Sequence, residues 1–441
     1  MKIICTILFL LLAMEILFRI WDARSKTVHK KQKAGARLVF ALLLILGLLI
    51  GVLKGSFRYM PLILILGIQA GLAFLTTFLH NRKKAEGNVQ EEIPYKGVKQ
   101  TLRTIGSVFL YLMLSFPAIL FPQYKLPENT GTQEVLSKTY TWEDHDRLET
   151  YRQDGSYRSV TIEVFYPAQE GTYPLVVFSH GATGMIQSNI STCENLASNG
   201  YIVVSIGHPY QAIMVQDISG NVTLIDPEFM NTVIQDNGSD STEHDKKVFE
   251  MSREWLAVRT GDMNFFLDTI LQKQADGEDI FAMADPSRIG VFGHSLGGAT
   301  AVAVGRERTD IDAVIDLEGT MFSEYEDYDV DHYLYNNTPY TTPLLDVNSA
   351  QISESAKAYT KQEYVNFYVL ENASDAHEAI FRDAGHLNFT DLPLVSPILA
   401  HMLGCGSVNA KKCLTNVNEM VLQYFNYYLK DAASLAIQET Y

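Results

Sequence analysis

The stretch RIGVFGHSLGGATAVAV, Arg288 to Val304, decides the fold. It opens on a short apolar run, Ile289 to Phe292, of the kind that forms a strand buried on both faces. It closes on Gly298, Ala299, Ala301 and Ala303, small residues that let a helix lie close to a sheet. Between them stands GHSLG, Gly293 to Gly297. A serine on such a strand-to-helix turn has strained backbone angles, and the flanking glycines remove the side chains that would collide. Ser295 is then exposed above the strand end, at the N-terminus of a helix whose dipole favours a developing anion. The pentapeptide alone is a weak signal; its setting makes Ser295 a candidate nucleophile.

A serine hydroxyl is a poor nucleophile at neutral pH, so it needs a base and a third group to orient that base. His386, in AGHLNFTDLP, follows the last strand expected, Val365 to Leu370, and is the favoured base. His377, in SDAHEAIF, is its competitor and reads as a helix residue. For the acid there are Asp316, ending the strand after the turn in AVIDLEG, and Asp346, in TPLLDVNSA. Asp346 is followed by Val347 and so lies inside its strand; Glu318 is a further candidate. A tetrahedral intermediate also needs two amide donors. One is the N–H of Leu296; the other is assigned to Ala182 in SHGATG, after the strand Leu175 to Phe178. His180 braces that loop, and Arg259 and Asp262 are spaced to pair along one helix face.

Further strands are expected at Thr139 to Trp142, Val160 to Tyr166, Tyr201 to Ile206, Ala313 to Ile315 and Pro343 to Val347. Helical patterns fall at Ser188 to Ser198, Lys246 to Leu271, Gly298 to Gly305 and Val417 to Leu429. Strand and helix in alternation mean an α/β class, with a mostly parallel sheet covered on both faces. The polar stretch Ile218 to His244, with DNGSDST at its centre, reads as a surface insertion.

The amino-terminal quarter is different. Residues 1–121 carry 16 Lys and Arg against 5 Asp and Glu; of the totals of 35 and 51, this leaves 19 against 46 for the rest. Four apolar segments, Ile3 to Ile20, Leu38 to Leu53, Met60 to Leu79 and Ile105 to Phe121, are each about long enough to cross a ~30 Å hydrocarbon core. The expected organisation is a four-helix membrane anchor over 1–121, a linker over 122–133 and a catalytic domain over 134–441. The loops Asp22 to Arg37 and Arg82 to Arg103 are basic, which places them on the cytoplasmic side and the catalytic part outside. Glu15, the one acid within a span, reads as interior-facing. The acidic remainder repels phosphate and excludes nucleic acid as a partner. No Cys/His cluster suggests a metal site. Cys405 and Cys413 are close enough in sequence either to be bridged or to be two free thiols.

Taken together, FSHGATG, GHSLGGATAVA, DLEGTMF and GHLNFTDLP resemble the platelet-activating factor acetylhydrolase family of plasma and intracellular type II, within the α/β-hydrolases. The resemblance covers about Val160 to Lys430. It implies Ser295 as nucleophile, Asp316 as acid, His386 as base, and Ala182 and Leu296 as oxyanion donors. It also implies ester hydrolysis without metal or organic cofactor, on short or oxidised acyl chains of phospholipids or on simpler esters. An acyltransferase using the same three residues and a non-catalytic membrane sensor are the other readings that this chain admits.

Overall fold

The computed structural model describes residues 2–20, 26–86, 97–236, 242–329, 332–356 and 364–441. The centre of the surface insertion, 237–241, and parts of the two basic loops, 22–25 and 87–96, lie outside the described residues. The chain forms two compact units, Met1–Lys125 with Val395–Leu399, and Leu126–Leu394 with Ala400–Tyr441.

In the first unit, helices α1 (Lys2–Ile20), α2 (Lys26–Leu49), α3 (Met60–Ala85) and α4 (Gly97–Leu114) pack around Leu11, Leu44, Leu66 and Tyr111. Among the described residues, three helices are long and apolar enough to cross a membrane: Lys2–Ile20, Val28–Leu49 and Met60–Lys83. The fourth expected span is divided. α4 begins on a polar turn bearing Lys99 and Arg103, and the chain breaks at Ser115 before a short helix α5 (Phe116–Leu120) with proline in its first turn. Proline is tolerated there because the N–H groups of a first turn have no intrahelical acceptor, so the one it lacks is not missed. Glu15 is buried inside this bundle, 2.5 Å from Lys33 Nζ and 2.7 Å from Arg37 Nη2.

The second unit is built on eight strands: β1 (Val135–Leu148), β2 (Tyr157–Pro167), β3 (Tyr173–Ser179), β4 (Ile202–Gly207), β5 (Ala284–His294), β6 (Ala313–Leu317), β7 (Leu344–Ser349) and β8 (Ala376–Phe381). Their order is β1-β2-β4-β3-β5-β6-β7-β8. β2 runs antiparallel to both β1 and β4, and the pairs from β4 to β8 are parallel. The central strands read as unbroken apolar runs because both faces are covered. Leu175 and Val177 of β3 pack with Met263 and Phe266 of the long helix α8 (Thr242–Ala275), whose predecessor α7 spans Pro227–Asp236. Val176 and Phe178 face Leu196 of α6 (Ile190–Ser198) and Val421 and Phe425 of α11 (Ala410–Lys430). Helix α9 (Leu296–Glu307) follows the serine turn, and α10 spans Val365–Asn372.

Two expectations are corrected here. Val365–Leu370, read as the last strand, is helical, and His377 lies in the last strand, not in a helix. The valines and aromatics of VNFYVLEN favour a strand only weakly. Val365, Asn366 and Val369, spaced as one helical face, are the buried ones, and that burial outweighs propensity. The insertion Ile218 to His244 also carries structure: a hairpin pairs Met214–Gln216 with Val222–Leu224, and α7 follows it. All four cysteines are free; Cys413 is on the buried face of α11, with Sγ 3.7 Å from the Asn388 carbonyl.

Candidate active site

At the C-terminal end of β5, Ser295 has φ 56° and ψ −126°, a conformation that L residues rarely adopt. Close packing forces it. A Cβ on Gly293 would come within 2.1 Å of the Gly297 carbonyl group, and one on Gly297 within 1.9 Å of the Ser179 oxygen. The Ser295 N–H donates to Leu317 O at 2.9 Å, tying the turn to the end of β6. The side chain is left partly exposed.

His386 opens a short turn of helix after β8 and is held beside this elbow by its neighbour in space, His294. The His294 Nε2–H donates to the His386 carbonyl at 2.9 Å, and the two rings are 4.6 Å apart. Burial, with the His386 ring nearby, keeps His294 neutral by pushing its pKa well below the usual imidazole value. On its other side, His386 Nδ1 lies 3.1 Å from Glu318 Oε2. Glu318, the first residue beyond β6, sits at φ 57°. Its carboxylate is 3% exposed, and its other oxygen accepts from both the backbone N–H and the hydroxyl of Ser349. A carboxylate so held cannot swing away from the imidazole.

Asp316, expected as the orienting acid, has a different place. It lies within β6, fully buried, and its Oδ1 accepts from Gly319 N–H at 2.7 Å. Glu318 lies just past the C-terminal end of the strand, where the turn at φ 57° brings its carboxylate to His386, whereas Asp316 is still inside the strand. Asp316 is paired in register with Asp346 of β7. Burial, reinforced by Asp346, pushes the Asp316 pKa well above the ordinary carboxylate value. Burial likewise raises Asp346 to about 7. Asp316 lies under the elbow, where a Cβ on Gly298 would come within 1.9 Å of its Oδ1. The sequence held the signal. An apolar residue continuing the strand sets Asp346 aside, and the same test applies to Asp316, which Leu317 follows, leaving Glu318.

A buried acid with a raised pKa stabilises the fold at low pH and loses that contribution as pH rises through its folded value. Asp316→Asn, the neutral isostere, should match the parent in thermal unfolding near pH 4 and gain on it steadily toward pH 8. A difference that does not change with pH would mean that Asp316 is ionised in the folded protein.

The loop after β3 closes the site from the other side. A Cβ on Gly181 would come within 3.1 Å of Ser295 Cβ and 2.9 Å of His294 Nδ1, so Ala182 follows a point of near contact with Ser295. His180 braces this loop as expected, its Nδ1–H donating to Gly181 O at 2.7 Å. Arg259 and Asp262 do not pair with each other as their spacing suggested. Asp262 receives the Arg158 guanidinium in a two-pronged contact at 2.8 and 3.0 Å, together with Arg147 at 3.0 Å and His208 Nδ1 at 2.9 Å. Arg259, wholly buried, turns the other way. It donates to the carbonyls of His180 and Gly181, to Ser179 Oγ at 3.4 Å and to Gln211 Oε1 at 2.6 Å. Burial lowers its pKa to about 9, which leaves it cationic at neutral pH. Arg259 thus fixes the backbone of the loop from behind with a charge that, among the described residues, no contacting carboxylate cancels.

Ser179, His208 and Asp262 form a second serine-histidine-aspartate array, with Ser179 Oγ 2.9 Å from His208 Nε2. All three are fully buried, so this array has no access to substrate and serves the loop. Burial and the nearby Arg259 push the His208 pKa down to about 3.

The residues 126–435 match the family model "Platelet-activating factor acetylhydrolase, isoform II". Platelet-activating factor acetylhydrolase of Cavia porcellus is 25% identical over 268 residues, 58% of each chain. That of Gallus gallus is 22% identical over 312 residues, 61% of this chain and 67% of its own. Cutinase 2 of Thermobifida cellulosilytica is 25% identical over 154 residues, 35% of this chain and 42% of its own. The chain thus matches 58% of the length of the guinea pig relative. A ferulic acid esterase structure from Streptomyces cinnamoneus superposes with a TM-score of 0.53 at 20% identity, covering 70% of this chain and 95% of the esterase, which shows the α/β-hydrolase fold. With the family model matched from before β1 to the end of α11, the chain belongs to the platelet-activating factor acetylhydrolase isoform II family.

Proposed function

We propose that this protein is a membrane-anchored serine hydrolase of carboxylic esters, with Ser295, His386 and Glu318 as its proton relay. The observation that carries the reading is the buried Glu318 carboxylate 3.1 Å from His386 Nδ1, beside a serine held at φ 56°. Ser295 Oγ attacks the ester carbonyl while His386 Nε2 takes its proton, and Glu318 holds the imidazole by its Nδ1–H and stabilises the imidazolium that forms. The N–H groups of Leu296 and Ala182 receive the developing oxyanion at the positive end of α9. His386 returns the proton to the departing alcohol, leaving an acyl-enzyme. Water, activated by the same imidazole, then releases the acid and restores Ser295.

Short-chain acyl esters are the proposed substrates, among them phospholipids with a short or oxidised sn-2 chain, in keeping with the relatives' names. The anchor is four spans, with α4 and α5 together forming the fourth, because Tyr111 and Ala118 share the bundle core with Leu11 and Leu66. The basic loops then lie on the cytoplasmic side of the cell membrane and the catalytic unit on the outer side. Hydrolysis rates across p-nitrophenyl esters and sn-2 acetyl, oxidised and palmitoyl phosphatidylcholines test the substrate class. Rates that fall steeply with acyl length support it, and equal or rising rates reject it. A fluorophosphonate probe should label Ser295; an unlabelled Ser295 in folded protein rejects the nucleophile.

Arg259→Lys keeps a buried cation but cannot span three loop acceptors, since an ammonium is a compact donor where a guanidinium is a rigid fork. It is expected to lower kcat by about 10²-fold, the cost of misplacing a catalytic group by about 1 Å. KM should change little. A KM effect without a kcat effect would assign Arg259 to substrate binding in place of loop positioning.

A further inference from the structure

Inside the amino-terminal helix bundle lies a cavity of about 570 Å³ that ester hydrolysis does not use. It sits between the first half of α2, the middle of α3 and the stretch of α4 from Gln100 to Leu110. Lys30, Lys33, Arg37 and Arg103 line it, with Gln69 and Thr76, and among the described residues no carboxylate lines it. Glu15 bonds both Lys33 and Arg37. One negative charge thus serves two cations, one of them only 7% exposed. Each such ion carries a desolvation cost that an uncancelled partner leaves unpaid. Lys30 and Arg103 add two more positive charges, and Lys30 already donates to Thr76 Oγ1. A cavity of this charge, in a bundle whose outer surface is apolar, is complementary to an anion with several acceptor oxygens.

We propose that this cavity binds the phosphate headgroup of an anionic phospholipid. Arg and Lys together suit a phosphate, the first as a fork and the second as a point charge. The volume suits a glycerophosphate headgroup. Leu72 lines the same cavity and is 57% exposed, so the cavity opens onto the apolar flank of the bundle, where acyl chains would lie. Basic pockets between membrane helices near the cytoplasmic face hold anionic headgroups by this arrangement. The inference rests on the reading of α1 to α4 as membrane-embedded and is independent of the catalytic residues.

The test uses full-length protein in neutral detergent, titrated with tail-labelled phosphatidylglycerol or phosphatidylcholine and read by anisotropy. Replacing Lys33 would leave Glu15 poorly paired and endanger the fold, so the variant is Lys30→Gln with Arg103→Gln. The control is Arg82→Gln with Lys83→Gln, which removes the same charge from the same end of the bundle outside the cavity. Phosphatidylglycerol should bind at least tenfold tighter than phosphatidylcholine, and this preference should fall at least fivefold in the cavity variant and persist in the control. Equal loss in both variants, or no preference in the parent, overturns the site. Displacement by inorganic phosphate at low millimolar concentration upholds the anion site and assigns it to a soluble phosphate; failure of phosphate to compete assigns it to the lipid. Release of the protein from membranes by carbonate would overturn the anchor reading, whereas retention without lipid preference overturns this inference alone.

Discussion

Replacing Ser295 by alanine is expected to lower kcat/KM for p-nitrophenyl acetate by about 10⁵-fold or more, while circular dichroism and thermal unfolding stay near those of the parent. The size follows from the role: when the nucleophile goes, the acyl-enzyme route closes, and only oxyanion stabilisation and binding remain, about 10³ to 10⁴ over water in well-studied serine hydrolases. The fold survives because alanine keeps the Cβ and removes only an atom that points out of the turn. The backbone at φ 56° is imposed by Gly293, Gly297 and the Leu317 carbonyl, none of which the substitution alters. Activity within tenfold of the parent would show that another residue attacks the ester.

The second large effect separates two acids in one strand region. Glu318→Gln should cost about 10³- to 10⁴-fold in kcat, because an amide facing His386 Nδ1 favours the wrong tautomer and leaves no charge to stabilise the imidazolium. Asp316→Asn should retain activity within about threefold, since Glu318 is the carboxylate that meets His386 Nδ1 and the bond that Asp316 accepts from Gly319 N–H can be kept by the amide oxygen. Both variants should be compared at a pH where they are equally folded. The reverse pattern, a silent Glu318→Gln and a dead Asp316→Asn, would return the orienting role to Asp316. Equal losses would mean that the two carboxyl groups work as one unit.

Much of this was legible from local pattern. The GHSLG turn between an apolar run and a small-residue helix identifies the elbow, because only that order gives an exposed serine with room on both sides. Strand β3 and the SHGATG loop follow from the same alternation, and His386 from its place after the sheet. The choice between Asp316 and Glu318 turned on where β6 ends, at Leu317, and sequence periodicity does not mark where a strand ends. The exchange of helix and strand over Val365 to Phe381 arose for a related reason: the burial of one face of α10, not its composition, made it helical.

What the sequence by itself determined is the chemistry present and the segments that carry it: an apolar amino-terminal quarter, an alternating strand and helix pattern, a serine elbow and a late histidine. Those properties are local, written in hydropathy, glycine and spacing. The tertiary structure alone decided which carboxylate meets His386, that Arg259 turns to the loop after β3 and leaves Asp262 to Arg158, and that Glu15 is shared by two cations beside a basic cavity. Each of those outcomes depends on groups tens to hundreds of residues apart reaching bonding distance, and a hydrogen bond is made by position in space, to which adjacency along the chain gives no access.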